Sequence, residues 1–188
     1  MSTLDRPSIV AAALEVGDRG GLSSVTVRGV ADRLRVTPMA LYRHVGGKED
    51  LLDQVTDELY AEFAVPTRAG DWWQTLARIA DAVRSTLLAH PWALPLFSRP
   101  AAGPHAAAAG RSVIQALRDA GFSERETNEL HEQLTHMVLA LVATELHGRR
   151  NRAAFDRGLG LLRAGLEARR PHPGRSSRSA AERGTKGG

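Results

Sequence analysis

Residues 26–48 read TVRGVADRLRVTPMALYRHVGGK, and the fold turns on their pattern. Val27, Val30, Ala31 and Leu34 recur at spacings of three and four, the period of one helical face, with Arg28 and Arg33 off that face. Only Arg35, Val36 and Thr37 separate this pattern from a second one that opens at Pro38, where the missing proline N–H is harmless. In the second pattern Leu41 and Val45 point inward. Pro38, Met39, Tyr42 and Arg43 point outward, with Ala40 and His44 at the margins. A helix from Pro38 to His44 is too short to hold alone in water, so it must dock across the first and be presented to something. That is the sequence form of a helix-turn-helix.

Upstream, PSIVAAALEVGDR from Pro7 to Arg19 predicts a packing helix that stops at Gly20-Gly21. Downstream, Gly46-Gly47 ends the short helix, and Lys48 to Phe63 begins another with Leu51, Leu52, Val55, Leu59 and Phe63 on its apolar side. Pro66 to Gly70 interrupts the pattern and is the natural boundary. Beyond it, Asp71 caps a helix running toward His90, Pro91 breaks it, and PAAGP from Pro100 marks a second break. His105 to Ala120 predicts a helix packed through Val113, Ile114 and Leu117. Ser123 and Glu126 form a capping box for a helix to His147. Its middle is apolar nearly all round, which predicts a subunit seam of Leu134, Val138, Leu141 and Val142 with Phe155, Leu159, Leu162 and Leu166 of the last helix. The expectation is an all-α chain: residues 1–50 a three-helix DNA-binding domain, 51–169 a helical ligand-binding and dimerisation domain, 170–188 a disordered basic tail.

Composition sets outer bounds. The 188-residue chain has no cysteine, which excludes disulfides and thiolate metal sites. The N-terminus lacks a signal pattern, and the longest apolar run, Met137 to Ala143, is too short to span a bilayer, so a cytoplasmic protein with no membrane partner is expected. Of the formal net charge of +4, the tail from Arg170 supplies all: five basic residues against Glu182. The sequence pI near 10.3 therefore says nothing about the folded body. His131-Glu132…His136 invites a metal-hydrolase reading, but a spacing of five turns the two histidines about 140° apart. No triad or glycine-rich nucleotide loop is present either, so no enzyme, metal or cofactor is expected.

For residues 26–48 the functional reading puts Pro38 to His44 in a DNA major groove. Thr26, Tyr42, His44 and Lys48 reach phosphates, Arg28 a base edge or phosphate, and Met39 and Ala40 a thymine methyl, with Thr37 and Arg43 on the same DNA-binding surface. The bland reading is that any small helical hairpin looks like this.

The stretch Ala13 to Val55 resembles the DNA-binding domain of the TetR family of transcriptional regulators, whose LYxHVxxKxxLL pattern is present as Leu41, Tyr42, His44, Val45, Lys48, Leu51 and Leu52. Leu87 to Leu96, Leu117 to Ser123 and Phe155 to Ala168 resemble the C-terminal domain of its tetracycline-repressor branch. The resemblance implies a homodimer that reads a palindromic operator in double-stranded DNA, a repressor released by a small molecule. It assigns phosphate contacts to Tyr42 and His44, the family's helix-N-terminal lysine to Lys48, and base-reading positions to Arg28, Pro38, Met39 and Ala40. Arg35 stands where the family usually has glycine. Apolar Ile79, Val83 and Pro95 at drug-holding positions argue against tetracycline, and the short segment His147 to Arg152 points to a small or open cavity. Trp92, Phe97, His136 and Met137 are the candidate lining. The alternative is a helical dimeric DNA-binding regulator with no inducer, which a filled C-terminal core would favour.

Overall fold

The computed structural model describes residues 4–62, 71–100, 102–148 and 151–170, and these contain helices, turns and no strands. The predicted boundary at Pro66 to Gly70, Phe63 and the tail beyond Arg170 lie outside the described residues.

Helix α1 spans Arg6–Gly20. It opens one residue earlier than the proline suggested, because Asp5 and Ser8 close a capping box: the Ser8 N–H donates to Asp5 Oδ1 at 3.0 Å and the Asp5 N–H to Ser8 Oγ at 3.1 Å. Hydrogen bonds from the Ser8 side chain and the Ser8 N–H hold the Asp5 carboxyl below its ordinary range. Helix α2 is Val27–Leu34, α3 is Pro38–Leu41 and α4 is Lys48–Ala61. Ile9, Ala13, Val25, Val30, Leu41 and Val45 are buried where they meet. Helix α3 is shorter than the predicted run to His44. Leu41 accepts from both His44 (2.8 Å) and Val45 (3.0 Å), which tightens the chain into a turn after one helical turn.

The other five helices are α5 (Trp72–Ala89), α6 (Leu94–Phe97), α7 (Pro104–Asp119), α8 (Glu124–His147) and α9 (Arg152–Arg169). The expected caps are in place: Asp71 accepts from the Gln74 N–H at 2.8 Å, and the Ser123–Glu126 box opens α8. In α7, Ala106, Ala109 and Ala116 are buried with Leu117, whereas Val113 and Ile114 are half-buried; small side chains let this helix come close to α4, α5 and α8. Arg84 of α5 donates two 2.7 Å bonds to the buried carboxylate of Glu145 on α8 and lies 5.5 Å from the Phe155 ring of α9. One core cluster runs from Ile9 and Leu41 through Leu51 and Leu59 to Leu87, Phe97, Val142 and Phe155, so α4 belongs to both ends of the molecule.

Burial within the protomer divides the residues expected at a subunit seam. Val142, Phe155 and Leu166 are buried within the protomer, and Leu134, Val138, Leu141, Leu159 and Leu162 are half-buried against its clusters or its cavity. Helices α8 and α9 pack on each other within the protomer: a Cβ on Gly158 would come within 2.3 Å of the Leu141 side chain. The outward stripes are Gln133, Met137, Ala140 and Thr144 on α8, with Arg157, Leu161, Ala164 and Ala168 on α9.

Candidate functional site

The helix-turn-helix holds its shape through backbone capping. The Thr26 hydroxyl oxygen accepts from the Gly29 N–H at 3.0 Å, and Thr37 from the Ala40 N–H at 3.3 Å. Between them Arg35 takes φ 57°, ψ 41°, the left-handed conformation, and is the one non-glycine residue with positive φ among the described residues. With Leu41 and Val45 anchored in the core, the outward positions are free. Arg28, Thr37, Pro38, Met39, Tyr42, Arg43 and Lys48 are exposed, while Thr26, Ala40 and His44 are half-buried. Met39 at 71% and Tyr42 at 53% are among the most exposed large apolar side chains of the described residues. Nothing in the core asks for them there, and every predicted DNA-contacting residue lies on this surface.

Lys48 breaks a local rule. It is the first residue of α4, where the helix dipole disfavours a cation. Gly47 provides no side-chain cap, and Asp50 is turned to the Gly46 N–H at 2.7 Å. A cation beside uncapped helix N–H groups is a place for an anion such as a phosphate.

Beneath the other end of α4 lies a cavity of about 410 Å³. Leu76, Ile79, Val83, Val113, Val138 and Leu159 form much of an apolar wall, with Tyr60, Trp73 and Phe97 as its aromatic part. Ser98, Arg99, His131, Glu132, Thr135 and His136 add polar groups. Burial lowers the His131 pKa below the usual 6.5, with Glu132 pulling the other way, and raises that of Tyr60. Of the four predicted lining residues, Phe97 and His136 are present. Trp92 is not: its indole N–H donates to Asp18 at 2.7 Å, and its ring lies so close over Gly17 that a Cβ there would come within 2.2 Å. Met137 points outward, half exposed. Tyr60, Trp73, Arg99, His131 and Thr135 were missed, since four separate segments bring them together. Arg99 alone left a trace, as a single cation between an apolar piece and a proline break.

Three acids of α4 tie this cavity to the reading surface. Arg99 Nη2 donates to Glu49 at 2.6 Å and to Asp53 at 3.2 Å. One turn on, Asp57 accepts from the His105 and Ala106 N–H groups at 2.9 and 3.0 Å and meets His105 Nδ1 at 2.9 Å. Helix α7 follows Gly103, which has no side chain to cap it, and Asp57 of α4 caps it instead. Near α1, His90 Nδ1 lies 2.7 Å from Asp18, on the carboxylate that Trp92 also reaches.

Comparison with known proteins gives two matching family models: bacterial regulatory proteins, tetR family, over residues 9–55, and the tetracyclin repressor-like C-terminal domain over residues 66–173, more than half of the chain. An HTH-type transcriptional regulator of Saccharopolyspora erythraea is 37% identical over 145 residues, covering 76% of this chain and 61% of its own length. The chain spans less than two thirds of the length of the curated relatives it matches first. Among solved structures, BioQ, known from Mycobacterium smegmatis, is similar in complex with its double-stranded DNA operator: TM-score 0.69 and 29% identity over 88% of this chain and 99% of that one. A TetR variant from Acinetobacter baumannii in complex with minocycline gives TM-score 0.79 and 28% identity over 90% and 100% of the two chains.

Proposed function

Because the chain belongs to the tetR family of bacterial regulatory proteins, we propose that it is a cytoplasmic, homodimeric transcriptional repressor that binds a palindromic operator and is released by a small molecule. The observation that carries the DNA-binding part is the surface of α2, α3 and the start of α4, where Arg28, Met39, Tyr42 and Arg43 are exposed while Leu41 and Val45 lock the short helix below. Tyr42, His44 and Lys48 grip phosphates and so set the register. Arg28, Pro38, Met39 and Ala40 face base edges.

The subunit seam uses the outward stripes of α8 and α9, with Met137 and Leu161 as its largest apolar members and alanines that allow close approach. Effector response rests on the cavity. A filled C-terminal core would favour a regulator without an inducer, and a volume of about 410 Å³ with polar groups on its wall counts against that reading. An effector acts by preferring a conformation in which α4 has moved, taking the paired reading heads away from the half-site spacing of about 34–36 Å.

The test is a gel-shift titration against the DNA flanking the chain's own gene, repeated over a salt series. A specific complex that weakens steeply with salt is expected; its absence would sink the regulator reading. Tyr42→Ala weakens all operators alike, whereas Arg28→Ala costs about 1–3 kcal/mol at particular base pairs. Uniform loss from Arg28→Ala would reduce it to a phosphate contact.

A further inference from the structure

Among the described residues, Arg99 is the one arginine or lysine lining the cavity. It is about a third exposed, and both of its bonds to α4 leave from the same nitrogen, Nη2. No bond among the described residues engages Nε or Nη1, so among these residues two donor directions of the guanidinium are open at a wall that is apolar over much of its area. The other charge on that wall, Glu132, is exposed to water. His131, kept toward its neutral form by burial, packs against Gly110 and adds no fixed cation.

Resting on the reading of the cavity as an effector site, we infer that its ligand is an apolar, ring-bearing acid whose anion binds Arg99 in competition with Glu49 and Asp53. A guanidinium presents donors in a planar fork that fits a carboxylate or sulfonate, and the apolar part of the wall takes the rest of such a ligand. A cationic ligand meets the like charge of Arg99. A neutral hydrocarbon covers the open donors without satisfying them.

The acid also accounts for signalling. Glu49 and Asp53 lie one and five places after Lys48, the proposed phosphate contact. While Arg99 holds them, their charge is offset. Once an anion draws the fork toward the cavity, two uncompensated carboxylates stand near the DNA backbone and weaken its hold, and bound DNA lowers affinity for the anion by the same factor.

The probes are 8-anilinonaphthalene-1-sulfonate and N-phenyl-1-naphthylamine, which share their rings and differ by the sulfonate, titrated by fluorescence into the full chain without DNA. Arg99→Gln is expected to lower affinity for the sulfonate about 10- to 100-fold, the loss of a charge-assisted bond, and to leave the neutral probe unchanged. Glu49→Gln combined with Asp53→Asn is expected to tighten the sulfonate alone. Val113→Trp, which fills the cavity, is expected to remove both probes. Equal effects of Arg99→Gln on the two probes, or sulfonate binding that survives Val113→Trp, would overturn the inference. Circular dichroism checks folding. If Arg99→Gln does not fold, Arg99→Lys, which keeps the charge and loses the fork, is expected to give an intermediate loss for the sulfonate alone, and no loss would overturn the inference. These arms need no operator, so their failure leaves the DNA-binding reading intact, and a failed gel shift leaves them intact.

Discussion

Arg35 holds a left-handed backbone that glycine adopts without a steric penalty, in a turn that must bring α3 across α2. Arg35→Gly is therefore expected to stabilise the chain by about 1 kcal/mol, read as a higher midpoint in thermal unfolding. An unchanged or lower midpoint would show that the arginine side chain stabilises the turn. His131 makes a second prediction. Its folded pKa lies below 6.5, so above that value neither the folded nor the unfolded chain protonates it and it contributes no slope. As pH falls through 6.5 the unfolded chain takes up the proton first, and this part of the stability declines until the folded pKa is passed. His131→Gln is expected to flatten the fall in melting midpoint between pH 7.5 and pH 5.5 relative to the parent chain. Single residues were legible where the chemistry is local: Arg35, where the family usually has glycine, announced a left-handed turn, and Tyr42 reads as outward and is exposed. Arg99 was not, because its partners Glu49 and Asp53 lie some fifty positions away and no periodicity connects them.

Among elements, the caps were readable because Asp71 and Ser123 act within four residues of themselves. The length of α3 and the faces of α8 were not. Leu41 and Val45 suit either a seven-residue helix or one turn with a tight exit, and only their docking into the α1–α4 core decides. On α8, periodicity marks Val138 and Val142 as buried without saying whether the cover is α9 of the same chain or a second chain. Two contacts between elements invite measurement. Glu145→Ala leaves Arg84 nearly buried with its strongest partner gone, and a loss of about 3–5 kcal/mol is expected in chemical denaturation. A loss under 1 kcal/mol would mean that the pair is not needed to hold α5 to α8. Asp57→Ala removes the cap that α4 lends to α7, and about 1 kcal/mol is expected from the ordinary value of such a cap.

At the scale of the whole molecule, the reading head and the helical body share α4 and one core, so a shift of α4 is felt at both ends. Leu161→Glu, on the most exposed large apolar residue of α9, is expected to convert a dimer to a monomer in analytical ultracentrifugation and to abolish operator binding while leaving the helical spectrum intact. A dimer that survives would place the seam on another face. The joint between α1 and the turn Pro91–Ala93 bears on modularity. Trp92 rests on Gly17, which leaves no room for a side chain, and the Asp18 carboxylate receives Trp92 and faces His90. A DNA-reading head transplanted onto this body from another regulator must therefore bring glycine and aspartate at these two positions, whatever its operator preference. Chimeras lacking them are expected to fold around the shared α4 core with a weakened joint, read as a lower thermal midpoint and a reduced response of operator binding to effector.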